Sequence, residues 1–325
     1  MKRIHATRRT TTVLSRDRWP RDARERSRFS CYRRSHDVDR PDEGPPLARS
    51  PELPENLGID PEGNLYVGIT TGEIRKIPRE LTDETGLERA DTELVSTFPG
   101  GVGGVSVGES GRVYTAVRPE NDRPSGVYAV ESDGDGDRTP ELLGAISGFP
   151  NDLLVEEERD RLLVTESSMG AVYSVSLDGD SDAEPSVWSD DSLLAGEGFG
   201  ANGLTFFGEG VLVANTDAGR LVSIPIEEDG GAGEPEPYVE DEGLLGADGI
   251  TAWGPLVYVA ANRQNEVVRV LPGGFLLPAA DAGDGLQFPS DVLFGTVPGQ
   301  RTDLFVPNFA VQVDDLEPGV LRTGF

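Results

Sequence analysis

The stretch GANGLTFFGEGVLVANTDAGRLVSIPI, residues 200–226, decides the fold. A polar tetrapeptide at Gly200 is followed about ten residues later by the hydrophobic strand VLVANT from Val211, and then by a second strand, GRLVSIPI. The same figure recurs along the chain. The polar segments are LPEN around Pro54, GGVGG at Gly100, FPND at Phe149, GANG at Gly200, GADG at Gly246 and FPSD at Phe288. Each leads to a strand: LYVGIT, VYTAVR, LLVTES, VLVANT, VYVAAN and LFVPNF. Anchored on Glu55, Gly103, Asn151, Asn202, Asp248 and Ser290, the steps are 48, 48, 51, 46 and 42 residues. A period of about 40–50 residues with several strands per repeat is the signature of a β-propeller. The expectation is an all-β fold, a six-bladed β-propeller, with the polar turns facing one central point.

Alternation in GNLYVGI and GEIRKIP fits strands packed between neighbouring blades. Outer strands are expected at TELVSTF, ELLGAIS, EPYVED and FLLPAA, with Arg79–Asp91 and Asp178–Gly198 as insertions on the rims. The sixth repeat runs out of chain at Phe325, so the segment PPLARS before Glu55 is expected to supply its outer strand and close the ring.

Charge divides the chain in two. Residues 1–50 carry 14 Lys+Arg against 7 Asp+Glu, whereas residues 51–325 carry 15 against 51. Residues 1–43 are expected to be a basic disordered tail, or sequence from a start codon placed too far upstream, and residues 44–325 the propeller. The head has no apolar run that would serve as a signal or a span, so a cytoplasmic location is the default, with export open if the true start differs. An acid excess of this size repels nucleic acid and anionic membranes; a small-molecule substrate and a monomer are separate expectations. Its dispersal over every repeat fits the hydrated carboxylate surface of a halophilic protein.

Subtraction limits the chemistry. Cys31, His5 and His36 all lie in the head, so the propeller has no Cys and no His. A Ser-His-Asp triad, a Cys nucleophile and a His/Cys zinc site are therefore impossible within it. What remains is carboxylate, amide and hydroxyl oxygen, or a metal held by oxygen: Ca²⁺, Mg²⁺ or Mn²⁺. Glu55, Asn151, Asn202 and Asp248 occupy equivalent places in repeats one, three, four and five. Two carboxylates and two amides converging on the channel would cradle such a cation and leave positions open for water and substrate. Ordinary turn chemistry also favours Asn-Gly and Asp-Gly, but four such residues fall in phase with the repeat. Asp152 and Asp291 are further site candidates. Asp133–Asp137 lacks the Gly and Glu of an EF-hand and reads as an acidic loop. Trp188 and Trp253 read as packing residues between blades; Asn215 and Asn262 end strands near the site.

On these residues the chain resembles the SMP-30/gluconolactonase/LRE-like (regucalcin-like) family over nearly all of residues 51–325. The resemblance implies that Glu55, Asn202 and Asp248 bind a divalent metal, with Asn151 lining or joining the site. It implies hydrolysis of sugar lactones or other cyclic esters, with Asp248 doubling as general base. Asn151, Asp152 and Phe149 would touch substrate. The opening turn is P-E-N where the family usually has P-E-G. The family's sugar-gripping Arg before the N-D turn is absent, with Phe149 at or near its place, which makes the pocket more apolar. A non-enzymatic binding or scaffold propeller with a structural channel cation remains the alternative. A strictosidine-synthase-like condensing enzyme is a third, without an evident carboxylate base for an amine.

Overall fold

The computed structural model describes residues 10–14, 52–118, 124–132, 138–177, 184–311 and 318–324. Six four-stranded antiparallel sheets follow one another around a central channel as a six-bladed β-propeller, and no α-helix occurs among the described residues. A short strand β1 (Thr10–Leu14) precedes the first complete blade. That blade is β2 (Pro54–Ile59), β3 (Leu65–Ile69), β4 (Glu73–Ile77) and β5 (Glu93–Thr97). The second is β6 (Val102–Val107), β7 (Arg112–Val117), β8 (Gly126–Glu131) and β9 (Glu141–Ala145). The third is β10 (Pro150–Glu156), β11 (Arg161–Glu166), β12 (Ala171–Ser176) and β13 (Ser186–Ser189). The fourth is β14 (Ala201–Phe207), β15 (Gly210–Asn215), β16 (Arg220–Pro225) and β17 (Glu236–Glu240). The fifth is β18 (Ala247–Trp253), β19 (Leu256–Ala261), β20 (Glu266–Val270) and β21 (Leu276–Ala280). The sixth holds β22 (Leu293–Phe294), β23 (Asp303–Asn308) and β24 (Gly319–Gly324).

The sixth blade is completed by β1, which pairs antiparallel with β24 through Thr10↔Thr323, Thr11↔Arg322 and Thr12↔Leu321. Closure by an N-terminal strand holds, but the strand differs: the expected PPLARS segment lies outside the described residues, and Thr10–Leu14, within the anticipated tail, takes its place. Three threonines and a valine suit an edge strand through β-branching, a signal hidden by the surrounding arginines. A second correction concerns Asp178–Gly198. Rather than being wholly a rim insertion, it contains β13, the outer strand of blade three. Its SVWS sequence is too short for alternation to be read. The loop at Asp133–Asp137 lies outside the described residues.

Packing follows the repeat. Six hydrophobic clusters each join two neighbouring blades, from Leu57, Leu65 and Phe305 between blades one and six to Leu304, Tyr258 and Val306 between five and six. Each fully buried Val, Leu or Phe contributes about 1.5–3 kcal/mol as an upper estimate. The sheet faces therefore hold the ring together, and the channel is free to carry polar side chains.

Candidate functional site

In blades one to five the polar segments are not turns preceding strands; they are bulges inside the innermost strands. Pairing of β2 with β3 slips between Pro54 and Asn56, and the corresponding slips fall at Val102/Val105, Pro150/Leu153, Ala201/Leu204 and Ala247/Ile250. A bulge frees residues from the ladder and re-aims their side chains. In blades two to five the freed pair is the anchor residue and its successor, and in blade one Glu55 alone is freed, because Asn56 still pairs with Gly68.

The anchor residues form the upper layer. Glu55, Asn151 and Asn202 are buried and Asp248 is half-buried, each on the innermost strand of its blade. A second residue, just past the end of each neighbouring strand, positions them. Asn151 donates Nδ2–H to Ser167 Oγ at 2.9 Å, and Ser167 donates to Ala201 O of the next blade at 2.6 Å. Asn202 donates to Thr216 Oγ1 at 2.9 Å, and Thr216 to Ala247 O at 2.8 Å. Fixing the amide nitrogen leaves the carbonyl oxygen of Asn202 for a ligand, whereas that of Asn151 accepts from Arg118. In blade five, Asn262 donates to Asp248 Oδ2 at 2.9 Å. Asn215 instead ties down the preceding loop through Leu193 O and Ala195 O, at 3.0 and 2.8 Å.

The successor residues form a lower layer of staples between blades. Asn56 Oδ1 accepts from Val105 N at 2.9 Å, Asp152 Oδ2 from Leu204 N at 3.2 Å, and Asp291 Oδ2 from Leu57 N at 2.9 Å. The other oxygens of Asp152 and Asp291 accept from Leu153 N and Val292 N at 2.8 and 2.7 Å. Asp152 thus stands beneath the site with both oxygens engaged by main chain. Gly249 alternates with these carboxylates because a Cβ there would lie 2.0 Å from Asp291 Oδ1.

Blade two differs, and sequence reasoning missed its contribution. It offers Gly103 where the other blades offer a polar anchor, and Arg118, just after β7, fills the space. The Arg118 guanidinium donates through Nη2 to Glu55 Oε1 and, at 3.1 Å, to Asn151 Oδ1. It stacks over the Phe149 ring, 4.4 Å from the centroid. A Cβ on Gly103 would lie 2.7 Å from Asn151 O and 3.3 Å from Arg118 Nη2. The available signal was an Arg at the strand end of the one repeat whose anchor segment, GGVGG, has no acid, amide or hydroxyl side chain. Glu166 was missed as well. Fully buried, it accepts from the N–H groups of Phe149, Ser168 and Met169 at 2.6, 3.0 and 2.8 Å, and so sets the backbone that carries Phe149.

Four carboxylates face one guanidinium in this channel, and their proton affinities reflect it. Burial raises Glu55 even though Arg118 opposes the rise. Asp248 is held well above the usual carboxylate range by burial and by the Glu55 charge. Burial pushes Asp152 up to about 7 against its main-chain hydrogen bonds, and burial with the Asp152 charge raises Asp291 strongly. Among the described residues no group of three or more acidic, His or Cys side chains is arranged to hold a metal ion. Any cation here would therefore draw on amide oxygens. Glu55 Oε2 is buried without a hydrogen-bond partner.

The other candidates have structural explanations. Trp188 donates to Gly230 O at 2.9 Å and lies under Arg161, and Trp253 packs against Phe294 with ring centroids 5.5 Å apart. No helix among the described residues is long and apolar enough to cross a membrane.

No protein-family model matches the chain, and no curated protein sequence does. Its fold is shared with solved structures. A calcium-binding protein, regucalcin, from Agrobacterium tumefaciens superposes with a TM-score of 0.61 at 16% identity, covering 84% of this chain and 89% of that one. A gluconolactonase from Xanthomonas campestris gives 0.61 at 14%, covering 84% and 86%. An auxiliary nutrient binding protein from Bacteroides thetaiotaomicron gives 0.63 at 12%, covering 84% and 69%. At these identities the likeness establishes the six-bladed propeller that the chain shares with regucalcin and gluconolactonase.

Proposed function

We propose that the protein is a hydrolase of a lactone or similar small cyclic ester, working with a divalent cation in the central channel. The observation that carries this reading is the convergence of Glu55, Asn202 and Asp248 on strand bulges, with Glu55 Oε2 buried and unpaired. An orphan carboxylate oxygen beside two further hard donors fits Ca²⁺, Mg²⁺ or Mn²⁺, and the excess of buried carboxylates over guanidinium fits a missing positive charge. Glu55, Asn202 and Asp248 would hold the cation, with the Asn151 amide alongside in the grip of Arg118. Two fold neighbours, a calcium-binding protein and a gluconolactonase, agree with this chemistry.

When bound, such a cation polarises an ester carbonyl and acidifies water. The protein's own groups do the rest. Asp248, oriented by Asn262 through its Oδ2, is the base. It takes one proton as the water oxygen adds to the carbonyl carbon. Collapse of the tetrahedral adduct breaks the ring C–O bond, and Asp248 returns the proton to the departing alkoxide. Arg118, whose Nη2 holds Glu55 and Asn151, sets a guanidinium charge beside the developing oxyanion. No side-chain nucleophile is needed.

The test is turnover of a lactone panel in multimolar KCl, with and without EDTA, beside Asp248→Ala. The expected result is activity that EDTA removes, added metal restores and Asp248→Ala lowers by about 10²–10⁴-fold. One observation favours a second reading, a non-enzymatic binding propeller: Arg118 already engages Glu55 and Asn151. If no lactone turns over while added divalent metal still raises Tm, that reading replaces the hydrolase.

A further inference from the structure

Above the polar floor the walls change character. Phe149 lies half-buried at the channel, with Arg118 over its face, and the edge of Phe199 meets it at 5.2 Å in a T-shaped contact. Phe199 keeps 42% of its surface exposed. Across the ring of blades, Phe288 holds the place in FPSD that Phe149 holds in FPND. Its ring lies 6.3 Å from that of Phe309. Phe288 adopts φ +50°, a left-handed conformation costly for an aromatic residue, and its N–H is tied to Asn265 Oδ1 at 2.7 Å. Strain of this kind persists where the surroundings over-determine it, and it clusters at ligand clamps.

A polyhydroxylated sugar ring needs a hydrogen-bond partner for nearly every hydroxyl, since each unpaired one is costly to desolvate. Phenyl rings offer none. On the floor, Ser167, Thr216 and Asn262 are already committed to the anchors. Arg118 stands at the boundary, with one face on an aromatic ring and its Nε without a hydrogen-bond partner among the described residues. Floor and wall together fit a molecule with one oxygen-bearing end and one apolar end.

We propose that the site takes a lactone or cyclic ester bearing an apolar substituent, its carbonyl end held by Arg118 and its substituent seated on Phe149 and Phe199. The inference deepens the hydrolase reading and rests on it, so its test reads binding apart from turnover. γ-Lactams carrying methyl, propyl and hexyl groups present the same carbonyl but resist opening. Calorimetric titration should show affinity rising about fourfold per added methylene until the wall is covered. Phe199→Ser should flatten that dependence, and Phe149→Ala should do so more strongly. Arg118→Gln should weaken the whole series by about tenfold while the dependence on chain length persists. Phe199 is exposed, so Phe199→Ser remains informative if a variant at Phe149 or Arg118 fails to fold.

Hydrolysis of the matching alkyl lactones and of glucono-δ-lactone is measured in parallel. Lactam affinity independent of chain length, or glucono-δ-lactone turned over in preference to the alkyl lactones, overturns the inference and leaves the hydrolase reading standing. Chain-length-dependent lactam binding without turnover of any lactone upholds the apolar site and overturns the hydrolase reading.

Discussion

Arg118 carries the largest consequence of any single residue. Its guanidinium balances Glu55, fixes Asn151 and rests on Phe149, so three of the expected site residues depend on a side chain from the one blade that lacks an anchor. Room for it exists because residue 103 has no Cβ. Gly103→Ala would press a methyl group against Asn151 O, a main-chain atom that cannot rotate away. The expected cost is about 1–3 kcal/mol, the usual range for overpacking. Denaturant unfolding measures it, and a value near zero would show that the floor is looser than its contacts imply.

At the scale of elements, the decisive device is the bulge repeated in the innermost strands, and the loops above it are held by single carboxylates. Asp217, just past β15, accepts from Gly198 N and Phe199 N at 2.7 and 2.8 Å and from Arg263 at 2.6 Å. Burial alone would raise Asp217, but the Phe199 N–H, Arg263 and the Gly198 N–H outweigh it and hold the carboxyl below its ordinary value. A folded-state pKa that is depressed means stability fully present above the unfolded value of about 3.9 and lost as pH falls through the lower folded one. The Phe199 loop is therefore expected to loosen below about pH 4. Melting temperatures of the wild type and Asp217→Asn should differ at neutral pH and converge below pH 4. A gap that is independent of pH would rule out the ionised carboxylate as the cause.

At the scale of the molecule, closure and charge act against each other. Strand β1 covers the edge of β24, and without it a row of main-chain groups would face solvent. Removal of residues 1–14 is expected to lower Tm and to produce association that grows with protein concentration, read by light scattering. An unchanged Tm and a monodisperse species would show that closure relies on the inter-blade clusters alone. The net charge of −29 works to push the ring apart. Raising salt from about 0.1 to 1 M shortens the screening length from about 10 to 3 Å. The melting temperature should accordingly climb with KCl, and it should climb with NaCl equally if screening is the cause.

The all-β class, the count of six blades and the residues Glu55, Asn151, Asn202 and Asp248 were legible in the chain because each repeats with one period, and periodicity survives translation into sequence. Two outer strands were not. Ser186–Ser189 is too short to show alternation, and Thr10–Leu14 lies among basic residues. Arg118 was invisible for a different reason. Its role depends on Gly103, Glu55 and Phe149, which come from three blades, and no local pattern records who fills an empty place. The division of Asn151 and Asp152 into an anchor and an inter-blade staple also needed the bulge, since period-2 alternation cannot send two consecutive residues to one side. Sequence alone therefore determined the ring and its polar anchors. Only the tertiary structure decided which of those oxygens are free, which are spent on holding the blades together, and which cation already stands among them.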